Sequence, residues 1–206
     1  MISIESLMSI SKEEIPDAAR TMKAEDIKLL VELLSEKDDK IRYNALQLLQ
    51  SRSSFSPDVY PYWDIFVEKL SNDNSYQRSI GVMLISENVR WDSENRTDKA
   101  IDKYLDILNY DKPITVRQCI QALTKIVAYK KHLHKKISES LMSINISAVK
   151  ETMRKTTLVD ILTILAQIRK EGTTDEIESY ILSALSGGVL DKKAVNRLKH
   201  YYKGVI

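Results

Sequence analysis

Apolar residues recur along most of this chain at steps of three and four, the spacing that gathers one face of an α-helix. Four segments share a sharper pattern: "DDKIRYNALQLL", "NSYQRSIGVMLI", "PITVRQCIQALT" and "KETMRKTTLVDI" each carry an arginine early in an apolar-periodic stretch. These are Arg42, Arg78, Arg117 and Arg154, separated by 36, 39 and 37 residues. A near-constant period of this length predicts stacked helical pairs, each burying its apolar face against its neighbours. The positions four and seven after each arginine predict a buried stripe through Leu46, Leu49, Val82, Ile85, Leu158 and Ile161. Gln77, before Arg78, and Gln121 and Thr124, after Arg117, interrupt it.

Each arginine segment follows a second amphipathic one, at 24–35, 59–71, 98–109 and 132–144, across a short polar turn. Asp39, Asn74 and Ser147 are expected N-caps, and Pro113 suits a first helical turn. A fifth pair is predicted at 174–186 and 191–202, with Gly187 and Gly188 ending its first helix and Asp191 capping its second. Residues 1–23 form an expected N-terminal helical cap interrupted near Pro16. Residues 24–170 hold four repeats and 171–206 a terminal capping repeat, together one domain.

The turn Asp or Asn, the apolar–arginine pair and the small-apolar stripe resemble a HEAT repeat, most clearly in "DDKIRYNALQLL" and next in "ITVRQCIQAL". The resemblance implies an all-α fold, a right-handed α–α superhelix of about four to five helical pairs. It also implies that arginine and turn aspartate pair between neighbouring repeats as an internal ladder. Candidate rungs join Arg42, Arg78, Arg117 and Arg154 to Asp38 or Asp39, Asp73 and Asp111. Bidentate guanidinium–carboxylate contacts suit so rigid a task. The competing reading puts some of these arginines in a groove that binds phosphate or carboxylate. Arg154 has no acid in its turn, so its partner is expected from another repeat. Asp160 stands six after Arg154, where the other segments carry Leu48, Leu84 and Leu123. It marks either a shift of helix phase or a buried charge, which needs a partner.

Composition narrows the class. The 206 residues are 43% hydrophobic and 29% charged, with five Gly and four Pro, as in a folded helical protein. No apolar run approaches the roughly 18 residues of a membrane span. The first 20 residues place Glu5 in their apolar portion and lack a basic leader, so a cytoplasmic location is expected. The single Cys119 excludes an internal disulfide and reads as a small buried residue.

The net charge of +2 hides an asymmetry: residues 1–111 sum to −7 and residues 112–206 to +9. Arg117, Gln121 and Lys125 share a helix stripe. With Lys130, Lys131, Lys135, Lys136, Lys150, Arg154 and Lys155 they make a candidate interaction strip for phosphates, or simply a solvated face. His132 and His134 point about 200° apart on a helix and cannot chelate together, and His200 is remote. No Gly-rich phosphate loop, nucleophile elbow or zinc signature occurs, so no cofactor, metal or catalytic residue is expected.

Trp63, and the run Arg90–Trp91–Asp92, invite comparison with alkylpurine DNA glycosylases of the HEAT-like class, whose groove combines aromatic, acidic and basic groups. Both tryptophans read more simply as packing anchors. Tyr60, Tyr62, Tyr76, Tyr201 and Tyr202 are candidates for a protein-binding surface. The expected role is a non-enzymatic scaffold binding a protein partner along a helical-repeat surface. The alternative is nucleic-acid binding, as a simple binder or a glycosylase relative.

Overall fold

The computed structural model describes residues 2–199 and residue 202. His200 and Tyr201 lie outside the described residues. Among those described, twelve α-helices and short 3₁₀ turns account for the regular structure, with no strand. Contacts group the chain into two compact units, residues 1–104 and 105–206, where the arginine period reads as one array.

In the first unit, α1 (Ile4–Ser9) and α2 (Ile15–Thr21) both pack on α4 (Asp39–Ser53). The break between α1 and α2, at residues 10–14, falls just before Pro16, as expected, and Pro16 lies in the first turn of α2. Helix α3 (Ala24–Leu33) pairs with α4, and α5 (Trp63–Lys69) with α6 (Ser75–Asn88), while α4 packs against α6. The helix expected from residue 59 begins as a 3₁₀ turn, Pro57–Tyr62. Pro61 brings no N–H, and the α-helix starts only at Trp63. Helix α7 (Arg96–Leu105) reaches the unit boundary. At Gly81 a Cβ would sit 2.6 Å from the Phe66 carbonyl oxygen, so α5 and α6 meet through a bare backbone.

In the second unit, the 3₁₀ turn Asp106–Asn109 packs on α8 (Pro113–Tyr129). Helix α9 (His134–Met142) pairs with α10 (Glu151–Arg169), which also lies against α8. Helices α11 (Asp175–Ser186) and α12 (Lys192–Lys199) both pack on α10. Within each unit, then, the second helices of successive pairs lie side by side: α4 with α6, and α8 with α10.

The caps follow the sequence in most places. Asn74 accepts from the Tyr76 N–H at 2.9 Å, Asp191 accepts from the Ala194 N–H at 2.8 Å, and Pro113 opens α8. Gly187 ends α11 and Gly188 takes φ +78°. Two expectations fail. Asp38, not Asp39, caps α4, accepting from Lys40 and Ile41, because its backbone is extended while Asp39 is already helical. Ser147 lies inside a 3₁₀ turn capped by Asn145, and α10 begins only at Glu151.

The predicted stripe is buried at Leu46, Leu49, Val82, Ile85, Leu158 and Ile161. In α8 it is rotated: Cys119, Ile120 and Leu123 are buried while Gln121 is exposed. The two interruptions in "RQCIQALT" are the outward face of a turned helix. Gln77 is different, being buried with its polar ends satisfied. Its Nε2 donates to the Leu34 carbonyl at 2.8 Å, and its Oε1 accepts from the Lys69 ammonium at 2.5 Å.

Candidate functional site

The four arginines do not form a uniform ladder of carboxylates. Three bind the carbonyl oxygens of the turn that precedes their own helix. Arg42 donates to Glu36 O at 2.7 Å, Arg78 to Asn72 O at 2.6 Å, and Arg154 to Val149 O at 2.8 Å and Ser147 O at 2.7 Å. An arginine standing five to seven residues after such carbonyls can fold back over the turn and satisfy them. This also corrects the expectation for Arg154: it needs no acid from another repeat, because turn carbonyls take its guanidinium. Arg42 adds an ion pair with Asp39, one turn away in the same helix.

Arg117 is the exception. Its Nε lies 2.8 Å from Asp160 Oδ2, joining α8 to α10. Gln121 Nε2 donates to the same oxygen at 3.1 Å. Asp111, the expected partner, instead meets Lys112 at 3.2 Å on the surface. The odd acid of the fourth segment is thus a part-buried charge with its partner beside it, at a position where Leu48, Leu84 and Leu123 are buried.

The candidate strip breaks up for the same reason. Lys131 binds Glu171 at 2.5 Å, Lys155 binds Asp191, and Lys135 approaches Glu139 at 3.9 Å. Lys130, the residue that caps the end of α8, does not belong to the surface: only 5% of it is exposed. Lys125, Lys136 and Lys150 are exposed. Beside α9 and the α10–α11 turn runs an open groove of about 780 Å³. Lys131, His132 and Lys135 line it, but so do Glu139, Glu171 and Glu176, so its walls carry both signs. His134 also lines it, held by a 2.8 Å contact between Nε2 and Val127 O.

Residues that could do chemistry in the first unit are engaged in packing. Trp63 is 1% exposed, with its ring 5.6 Å from that of Tyr60. Trp91 donates its indole N–H to Ser53 O at 2.7 Å, and Arg90 bonds Ser54 O. Asp92 is buried and accepts four hydrogen bonds: from Arg96 N–H at 2.8 Å, Thr97 N–H at 2.9 Å, Thr97 Oγ1 at 2.6 Å and the Tyr60 hydroxyl at 2.8 Å. Burial and that bond to Asp92 push the Tyr60 hydroxyl up to about 12. A carboxylate so saturated anchors the start of α7. Cys119 is fully buried, and burial pushes its thiol well above the ordinary range.

No family model matches the chain, and no curated protein matches it. Solved structures do resemble it. One engineered protein is 17% identical, matching 100% of this chain and 98% of its own, with a TM-score of 0.53. A second engineered protein is 19% identical over 98% of this chain and 99% of its own, also at 0.53. At such identities the likeness concerns fold alone.

What the tyrosines do became clear only in three dimensions. Tyr60 and Tyr202 turn inward, the latter bonding Leu162 O. Tyr76 is 62% exposed, and Tyr43, which no motif singles out, is 46% exposed. The Arg42 guanidinium lies 5.3 Å from the Tyr76 ring centroid, linking α4 to α6. On α4, Tyr43, Gln47 and Gln50 share one face; on α6, Tyr76, Met83 and Glu87 do. Gln50 reaches Glu87 across the two helices at 3.4 Å. Of these six residues only Glu87 is charged, but Asp39 and Lys40, one turn before Tyr43 on α4, are exposed beside them.

Proposed function

We propose that this protein is a non-enzymatic, HEAT-like helical-repeat module that binds a protein partner through the α4–α6 face of its first unit. The observation that carries the reading is that face: Tyr43 and Tyr76 exposed, Arg42 stacked on Tyr76, with Gln and Met around them. Tyr, Met and Arg are what protein interfaces enrich, and Tyr and Arg are their commonest energetic anchors. The side-by-side second helices within each unit support the repeat reading, since such stacking builds an extended surface. Nucleic-acid binding is less favoured, because Arg117, Lys131 and Lys155 each hold a carboxylate.

The test compares affinity capture by the wild type and by Tyr43→Ala/Tyr76→Ala, with matched circular dichroism and unfolding midpoints. The proposal expects a protein enriched by the wild type and lost with the variant. Equal capture by both, or enrichment of nucleic acid alone, overturns it.

A further inference from the structure

Lys69, the last residue of α5, is a buried lysine without an acid. Only 7% of it is exposed, and its Nζ has two hydrogen-bond partners, Ser35 Oγ at 3.1 Å and Gln77 Oε1 at 2.5 Å. Both partners are neutral, and no carboxylate among the described residues pairs with it. The charge that acts on it is Arg42, which is also positive. Asp39, the acid that pairs with Arg42, is exposed.

An ammonium has three N–H donors, whereas a neutral amine has two and a lone pair. Two acceptors saturate the amine and leave the ammonium one bond short. Gln77 is fixed in its role, because its Nε2 donates to the Leu34 carbonyl at 2.8 Å and so aims Oε1 at Lys69. Burial and Arg42 both disfavour the charged form. The fold therefore favours the nucleophilic state of this one lysine. Ser35 is exposed, so the amine lies within 3.1 Å of a surface side chain while the stem is covered. Only a small electrophile fits such access.

The geometry points to Lys69 as a carbamate-forming site whose ligand is carbon dioxide. The amine lone pair forms the N–C bond, one C=O π pair moves onto oxygen, and the nitrogen releases a proton to water. Nothing is oxidised or reduced. The product keeps one N–H for Gln77 Oε1, and the Ser35 hydroxyl can turn from accepting to donating towards the new carboxylate. Residue 69 becomes an anion, so repulsion from Arg42 becomes attraction. The inference does not rest on partner binding at the α4–α6 face.

The test equilibrates the full chain with isotopically labelled bicarbonate and carbon dioxide, then traps carbamates as esters with a trialkyloxonium salt and maps them by peptide mass spectrometry. The wild type is expected to carry the labelled ester at Lys69 at several times the occupancy of any other lysine. Gln77→Glu sets a carboxylate against the ammonium and is expected to abolish the Lys69 ester, with circular dichroism and the other lysines unchanged. A second arm needs no variant: in guanidinium chloride the wild type is expected to lose its preference for Lys69. No ester at Lys69, or an occupancy no higher than at exposed lysines, overturns the inference. So does a preference that survives in folded Gln77→Glu or in denaturant.

Discussion

Arg117 and Asp160 stand 43 residues apart in sequence, and their side chains meet at 2.8 Å across α8 and α10. Both are part-exposed, 36% and 19%, so water screens the pair and its contribution is modest. A double-mutant cycle with Arg117→Ala and Asp160→Ala is expected to give a coupling energy of about 0.5–1 kcal/mol in urea unfolding. Asp160→Ala alone also deprives Gln121 of an acceptor, and is expected to cost about 1 kcal/mol. A coupling indistinguishable from zero would show that the two residues merely sit side by side.

Lys69 gives a pH signature. Its ammonium is buried, with Ser35 Oγ at 3.1 Å and Gln77 Oε1 at 2.5 Å as hydrogen-bond partners. Burial, and then the nearby positive charge of Arg42, lower its pKa below the ordinary 10.5. The unfolded chain therefore holds this proton more tightly than the folded one. The charge opposes folding fully below the folded pKa, and that opposition fades as pH rises from there towards 10.5. The stability of the wild type relative to Lys69→Met is thus expected to increase with pH across that window. Urea unfolding of both proteins at matched pH values checks it, and a flat or falling difference would contradict it.

Gly81 tests the α5–α6 contact. Gly81→Ala pushes a methyl group to 2.6 Å from the Phe66 carbonyl oxygen, a backbone atom that cannot swing aside. A loss of about 1–3 kcal/mol is expected, as for other overpacked cores. The urea midpoint falls accordingly, and an unchanged midpoint would mean that the two helices can separate at no cost.

Asp92 separates architecture from chemistry. Asp92→Ala removes an acceptor from four donors at the start of α7 and is expected to cost about 2–4 kcal/mol in urea unfolding. The same substitution at a substrate-facing acid would leave stability nearly unchanged. A variant as stable as the wild type would favour the glycosylase-like reading of Arg90, Trp91 and Asp92.

The helices and much of their pairing were legible in the chain, because local periodicity and turn chemistry dictate them. Asn74, Asp191, Pro113 and the glycines at 187 and 188 did what such residues do at helix ends. The arginines were legible as a repeat and, at Arg42, in the pairing with Asp39, but not in their other contacts. Three take turn carbonyls, which carry no side-chain signature. Arg117 takes an acid that only the packing of α8 on α10 brings near. Asp160 was conspicuous as an acid in a leucine position, and that was the available signal for this pair. Lys130 misled because a lysine run looks uniformly solvated, yet one member falls where the chain turns and its stem is buried. Tyr43 escaped notice because exposure of a single tyrosine on an amphipathic helix depends on how that helix is rotated against its neighbours.

The most direct test of the central claim, protein recognition through the α4–α6 face, is the affinity of the captured partner by isothermal titration, with and without Tyr76→Ala. The account predicts a loss of roughly tenfold or more, about 1.4 kcal/mol, for Tyr76→Ala. It also predicts a weaker dependence on salt than phosphate binding shows, because the anchors are aromatic side chains whose burial salt does not screen. An affinity untouched by Tyr76→Ala, or one that collapses with salt as phosphate binding does, would contradict it.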